Sequence, residues 1–192
     1  AKGRLASVPG YGQWGTYVAH YPLTFPLRDP YNNSVSTNGT VVVTMRDPYG
    51  LPATQNITLS GGENATPVPI TLKIATNTFS PQELYVNGLG LLASTSTAIP
   101  VNTNTAAKLQ LLLPGETTVP GSSTGKTGTP TSTTVGSTIT ATVNLTDAYY
   151  NQIAQASQPT VRVDTKDPLA YATITPTQNT LALNGTLDFA VV

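Results

Sequence analysis

The chain has 192 residues, no cysteine, one histidine and a formal net charge of zero. Charged residues make up 9% of it, against about 25% in ordinary soluble domains. No Lys/Arg run or stripe occurs, which disfavours a nucleic-acid or anionic-membrane surface that works by displacing counterions. Disulfide frameworks, Cys–His nucleophile pairs and multi-histidine metal sites are excluded outright.

Thr takes much of the share that charge vacates, with Val, Ile and Leu beside it, and this mixture favours strand over helix. No stretch approaches the ~18 apolar residues of a membrane span, and no signal peptide is present. Ala1 in place of Met reads as a processed or excised start.

In chain order, residues 1–18 carry an aromatic cluster, Tyr11, Trp14 and Tyr17, that continues into Tyr21. Trp and Tyr are enriched where chains meet, so Trp14 and Tyr17 are candidate interface anchors. Alternating apolar residues then mark strands at Val41, Val43, Met45 and at Val68, Ile70, Leu72, Ile74. They recur at Leu109, Leu111, Leu113, at Ile139, Ala141, Val143, Leu145, and at Leu181, Leu183, Leu187, Phe189, Val191. Turn residues separate these runs at 29–33, 47–50, 61–62 and 184–185, the spacing of a β-sandwich or barrel. Residues 138–146 alternate without fault, which predicts a half-buried strand with Asn144 on its polar side. The Pro/Gly/Thr-rich stretch 114–137 resembles a linker in composition but lies between two strand signals, and reads as a long extended crossing between sheets. Residues 147–156 lack a helix stop signal and read as a loop.

The pattern occurs twice, about 120 residues apart. Asp29-Pro30-Tyr31 corresponds to Asp147-Ala148-Tyr149, and the run from Thr40 to Asp47-Pro48 corresponds to the run from Thr160 to Asp167-Pro168. Two modules follow, 19–104 and 105–192, with the boundary in the polar run Asn102–Ala106 and with 1–18 as a separate donor or interface segment. Module two stops at Leu187–Val192, the position equivalent to Val68–Ile74, one terminal strand short. An unpaired sheet edge invites another chain, so either the chain is part of a longer array or a second subunit supplies the strand. Leu187, Phe189 and Val191 are the expected acceptor edge.

Leu109-Gln110-Leu111-Leu112-Leu113-Pro114-Gly115-Glu116, then Gly125-Lys126-Thr127-Gly128-Thr129-Pro130, then Leu145-Thr146-Asp147-Ala148-Tyr149-Tyr150-Asn151 together resemble a bacterial immunoglobulin-like repeat. Such repeats belong to large secreted and surface proteins in the style of the filamin-like and invasin-like groups. The resemblance covers residues 19–192 and is most specific at 109–151. It implies an all-β chain of two tandem Ig-like antiparallel β-sandwiches, the second lacking its last strand, serving as spacer, stalk, adhesin or filament block without catalysis. Lys2 and Leu5 echo Lys108 and Leu111, whereas 11–15 has no counterpart.

Chemistry is sparse. His20 would have to serve any Ser–His–Asp triad, and it sits on a strand-like run among Tyr17, Tyr21 and Leu23. Glu63, Glu83 and Glu116 lie in turn contexts, so an acid–base–nucleophile set is not in view. Asp29, Asp47, Asp147 and Asp167 end strands and are weak calcium candidates, because carboxylates converging there suit a hard cation. Asx-turns that open the loops explain them better. Sequons at Asn32, Asn38, Asn56, Asn64, Asn144 and Asn184 are weak glycosylation candidates in so Asn- and Thr-rich a chain. Gly121 to Thr127 resembles a phosphate loop with one residue too few between its glycines. The expected role is an extracellular structural protein, a subunit of a head-to-tail filament whose partners are its own copies or neighbouring repeats. An adhesin or carbohydrate-binding repeat with a glycan ligand is the alternative.

Overall fold

The computed structural model describes residues 4–5, 18–19, 26–64, 69–76, 81–155, 157–166 and 173–192. Among them every regular element is a strand, and all pairings are antiparallel. The chain divides into two compact units, Ala1–Asn102 and Thr103–Val192.

Unit 1 contains β1 (Arg4–Leu5), β2 (Val18–Ala19), β3 (Leu27–Arg28), β4 (Gly39–Met45), β5 (Thr54–Leu59), β6 (Ile70–Thr71), β7 (Leu84–Gly88) and β8 (Ser94–Thr95). β1 pairs with β3, β2 pairs with β6, and a four-stranded sheet runs in the order β5-β4-β7-β8. Val41 and Val43 on β4 alternate with more exposed neighbours, as β-branched residues do on a pleated, half-covered surface. They join Leu27, Ile57, Leu59, Ile70, Leu84 and Val86 in one buried cluster. Strands from all three ladders that bear these residues therefore share a single interior.

Unit 2 contains β9 (Lys108–Leu112), β10 (Glu116–Thr118), β11 (Lys126–Gly128), β12 (Ile139–Thr146), β13 (Thr160–Arg162), β14 (Ile174–Thr175), β15 (Gln178–Thr180) and β16 (Thr186–Val191). Its main sheet runs β14-β16-β12-β9, with β10–β11 and β13–β15 as two-stranded ladders. Ala141, Val143, Leu145, Ile153, Val161, Leu181 and Phe189 form its core.

One frame underlies both units. Leu5 lies opposite Leu27 as Leu109 lies opposite Leu145. The Leu27 amide donates to Gly62 O at 2.9 Å, and the Leu145 amide donates to Gly185 O at 2.8 Å. Val18 opposite Thr71, and Ile139 opposite Val191, continue those two registers. Arg4 and Leu5 thus correspond to Lys108 and Leu109, a frame different from the expected Lys2/Leu5 match to Lys108/Leu111. Arg4–Leu5 and Val18–Ala19 pair within unit 1, so these residues of the expected donor segment are already engaged in its own ladders.

Two expectations for unit 2 need correction. The stretch 114–137 is no extended crossing: it contains the β10–β11 hairpin, clamped by Lys126 Nζ at 2.8 Å from Glu116 Oε1. Asn144 does not face water either, being only 5% exposed. Its Nδ2 donates to Gln110 Oε1 at 3.3 Å, and Gln110 Nε2 donates to Gly125 O at 2.7 Å. Gly125 lies just before β11, so the hairpin covers the polar face of β12. Alternation alone cannot report a cover brought in by tertiary structure.

The glycines of the shared frame are sterically required. Gly62 has φ +87° and Gly185 φ +80°, and a Cβ at either would overlap the carbonyl oxygen of Val35 or of Ile153. Gly185→Ala is expected to destabilise unit 2 by about 1–3 kcal/mol, through left-handed strain and overpacking. Urea unfolding followed through unit 2 probes checks this, and an unchanged midpoint would refute the steric account.

Candidate functional site

Three aspartates close strand ends by accepting backbone amides, two of them in one manner. Asp29 Oδ1 accepts the amides of Tyr31 and Asn33 at 2.9 and 2.8 Å, and Asn33 Nδ2 donates to Oδ2 at 2.9 Å. Asp147 Oδ1 accepts the amides of Tyr149 and Asn151 at 2.8 and 3.0 Å, while Asn151 Nδ2 donates to Oδ2 at 2.9 Å. In both loops the residue before the Asn sits at positive φ, Asn32 at +68° and Tyr150 at +64°. The shared motif is Asp-x-Tyr-x-Asn, a self-hydrogen-bonded Asx loop. Asp47 Oδ1 accepts the Tyr49 amide, and its Oδ2 accepts the amides of Lys73 and Ile74 at 2.5 and 3.0 Å.

Asp47 and Asp147 are each 1% exposed, and amides fill their oxygens. That is turn chemistry in place of cation coordination. Hydrogen bonds from the Asn33 side chain, then from its backbone amide, hold Asp29 below the ordinary carboxylate value. Asp167 lies outside the described residues. Lys108 adds to the second loop: Nζ sits 4.0 Å from the Tyr150 ring centroid and donates to Ala148 O at 2.9 Å.

The expected acceptor residues Leu187, Phe189 and Val191 belong to the interior of unit 2. Phe189 is fully buried in the core of unit 2, with Leu187 and Val191 packed against it. β16 is flanked by β12 on one side and by β14 on the other, Ile174 opposite Val191 and Thr175 opposite Ala190. The two-residue β14 leaves almost no sequence signal, which is why β16 reads as an edge.

Among the described residues, β13 lacks one of the partners that its counterpart in unit 1 has. In unit 1, β4 pairs with β5 and with β7, and β7 pairs in turn with β8. In unit 2, β13 pairs among the described residues only with β15. The two hairpins correspond: the Leu181 amide donates to Pro159 O at 3.1 Å, where Leu59 lies opposite Gly39 in unit 1. Thr160–Lys166 therefore occupies the position of Thr40–Arg46, as the sequence repeat predicts. A second feature agrees. Leu109 and Leu111 share a sheet face with the buried Leu145 and Val143, yet they are 55% and 43% exposed. The interior side of the sheet is thus left bare at β9.

The remaining candidates scatter. Asn32, Asn38, Asn56 and Asn184 are exposed and Asn64 is half-buried. Asn38 Oδ1 accepts the Gly61 amide at 2.9 Å. Trp14, Tyr17 and His20 lie outside the described residues. Gly121 to Thr127 forms the turn and second strand of the β10–β11 hairpin. A groove of about 360 Å³ in unit 1, lined by Leu27, Val35, Leu89 and Leu91 with Asp29 at its rim, contains no aromatic ring. No helix among the described residues is long and apolar enough to cross a membrane.

Asp147→Ala is expected to destabilise unit 2 by about 2–4 kcal/mol, because it leaves several loop amides unpaired. Phe189→Ala should cost about 3–5 kcal/mol if the ring is core, and almost nothing if it lines an open edge; denaturant titration separates the two. The Glu116 carboxyl is held below 4.5, first by the Lys126 side chain and next by the Leu113 amide at 2.9 Å. Its stabilising contribution is complete above pH 4.5 and is lost as pH falls through the lower folded value. Amide exchange in β10–β11 should accelerate over that acidic range, and Glu116→Gln should remove the dependence. Comparison with protein-family models, with curated proteins and with solved structures gave no match.

Proposed function

We propose that this chain is a non-enzymatic structural repeat of the extracellular surface, a subunit that builds a fibre by adding strands between neighbours. Two tandem Ig-like sandwiches would provide the rods, with the second completed by a neighbour. One observation carries the reading. Two units on one strand frame differ, among the described residues, in that the core strand of the first has partners on both edges, whereas its equivalent in the second has one. A core strand with one free edge among the described residues is the template that β-augmentation uses. Head-to-tail addition at such an edge gives open fibres in place of closed rings.

The composition fits an assembly of this kind. Charge at 9% leaves little repulsion between packed modules, and stability without cysteine does not depend on redox conditions.

Concentrated protein at neutral pH is expected to form fibres visible by negative-stain electron microscopy. Adding charges on the interior face of β9, as in Leu109→Asp with Leu111→Asp, should suppress them at least tenfold in polymer mass. A sample that stays monomeric at every concentration would refute the reading.

A further inference from the structure

We propose that residues 129–138, the run between β11 and β12, are an attachment site for neutral sugars linked through serine and threonine oxygens. The inference stands apart from the fibre reading, because it needs only this run of unit 2.

Composition comes first. Seven of the ten residues carry hydroxyls: Thr129, the run 131–134, Ser137 and Thr138. The other three are Pro130, Val135 and Gly136, so the run bears no charge. A stretch rich in Ser and Thr, with proline, has almost nothing with which to build a core, and such composition marks sugar-bearing segments. The proline ring also holds Thr129 to extended backbone, and no residue from 129 to 138 joins a helix or strand.

The geometry makes the hydroxyls available. All ten residues are exposed. Elsewhere the fold uses its threonine oxygens: Thr142 Oγ1 donates to Asp188 Oδ1 at 2.6 Å, Thr76 Oγ1 donates to Val101 O at 3.1 Å, and Thr160 and Thr180 hydroxyls bond at 3.0 Å. None of the hydroxyls from 129 to 138 has a partner among the described residues. Backbone bonds alone hold the run, with the Thr131 amide donating to Pro114 O at 2.7 Å and the Ser137 amide to Thr134 O at 3.0 Å. Gly136 in the second of these turns has φ +81°, and a Cβ built there meets no atom within 4 Å. The same addition at Gly185 strikes Ile153 O. Bulk is therefore accommodated around 136 and excluded at the core turn.

The transfer forms one bond and breaks one. A Ser or Thr Oγ attacks C1 of a sugar activated as its phosphate ester, and the bond from C1 to the phosphate oxygen breaks. The phosphate ester leaves with the electron pair, and the hydroxyl proton passes to a base of the transferase. Phosphorylation of the same oxygens is disfavoured by charge. Each phosphate would add about two negative charges to a run without Lys or Arg. The neighbouring Lys126 is already committed to Glu116 at 2.8 Å and to Leu111 O at 3.1 Å. A neutral sugar needs no counter-charge. It also brings hydration to a chain whose formal net charge is zero, a balance that otherwise promotes association.

The test uses the full chain purified from its source cells. Trypsin releases 127–162 as one peptide, because no Lys or Arg lies between Lys126 and Arg162. That peptide should carry whole hexose or N-acetylhexosamine increments that resist peptide N-glycosidase and are lost on mild alkaline β-elimination. Electron-transfer fragmentation should place them within 129–138. An unmodified peptide, sugar confined to hydroxyls outside the run, sugar on Asn144, or phosphate in place of sugar would overturn the site. A variant with all seven hydroxyl residues replaced by alanine, expressed in the same cells, should lose the increments and keep the urea midpoint of unit 2. A lowered midpoint would show that the fold uses these hydroxyls and would overturn their assignment as free acceptors. Fibres formed by a sugar-free chain would refute this site alone, and sugar on a chain that never polymerises would refute the fibre reading alone.

Discussion

A β-strand that carries core residues must have both of its edges satisfied, and this requirement organises the whole chain. β4 meets it, with β5 on one side and β7 on the other. Val41 and Val43 are accordingly closed from solvent, and Leu84 and Val86 arrive on the strand that closes them. β13 carries the same valine alternation on the same hairpin, with a single partner among the described residues. Val163, the counterpart of Val43, is only half-buried.

Much of this arrangement was legible in the residues. The alternation at 39–45 and 139–146, and the Asp-Pro and Asp-Ala turns, mark strands and strand ends because both signals are local. The alignment of Thr40–Pro48 with Thr160–Pro168 agrees with the hairpin registers. Three features were hidden, each because a distant segment decides it. Asn144 is buried by a hairpin whose composition reads as a linker. Phe189 reads as an edge because its neighbour β14 is two residues long. The single partner of β13 among the described residues shows only in the sheet order.

The aspartate loops separate fold from function in the candidate site. Asp29, Asp47 and Asp147 stand at strand ends where ligands could converge when read as letters, but each carboxylate already accepts two or more amide hydrogens. A carboxylate so surrounded fixes the path of the chain and has little left for an outside ion. Among the described residues, the backbone of β13 has a single strand partner, a feature that side-chain inventories do not report. An all-β chain poor in His, Cys and Glu can therefore hold its most informative site in main-chain groups.

The Asp-x-Tyr-x-Asn loop also governs where the chain can change length. Its reversal is closed within five residues by the Asp147–Asn151 contacts, by the Asn151 carbonyl that accepts the Asp147 amide, and by Lys108 over the Tyr150 ring. Adding a single residue there would misalign all of them together. Residues 129–138, by contrast, are exposed throughout and bear none of these contacts. Tags, epitopes or spacers inserted in that run would be carried on the outside of unit 2 without disturbing its strands.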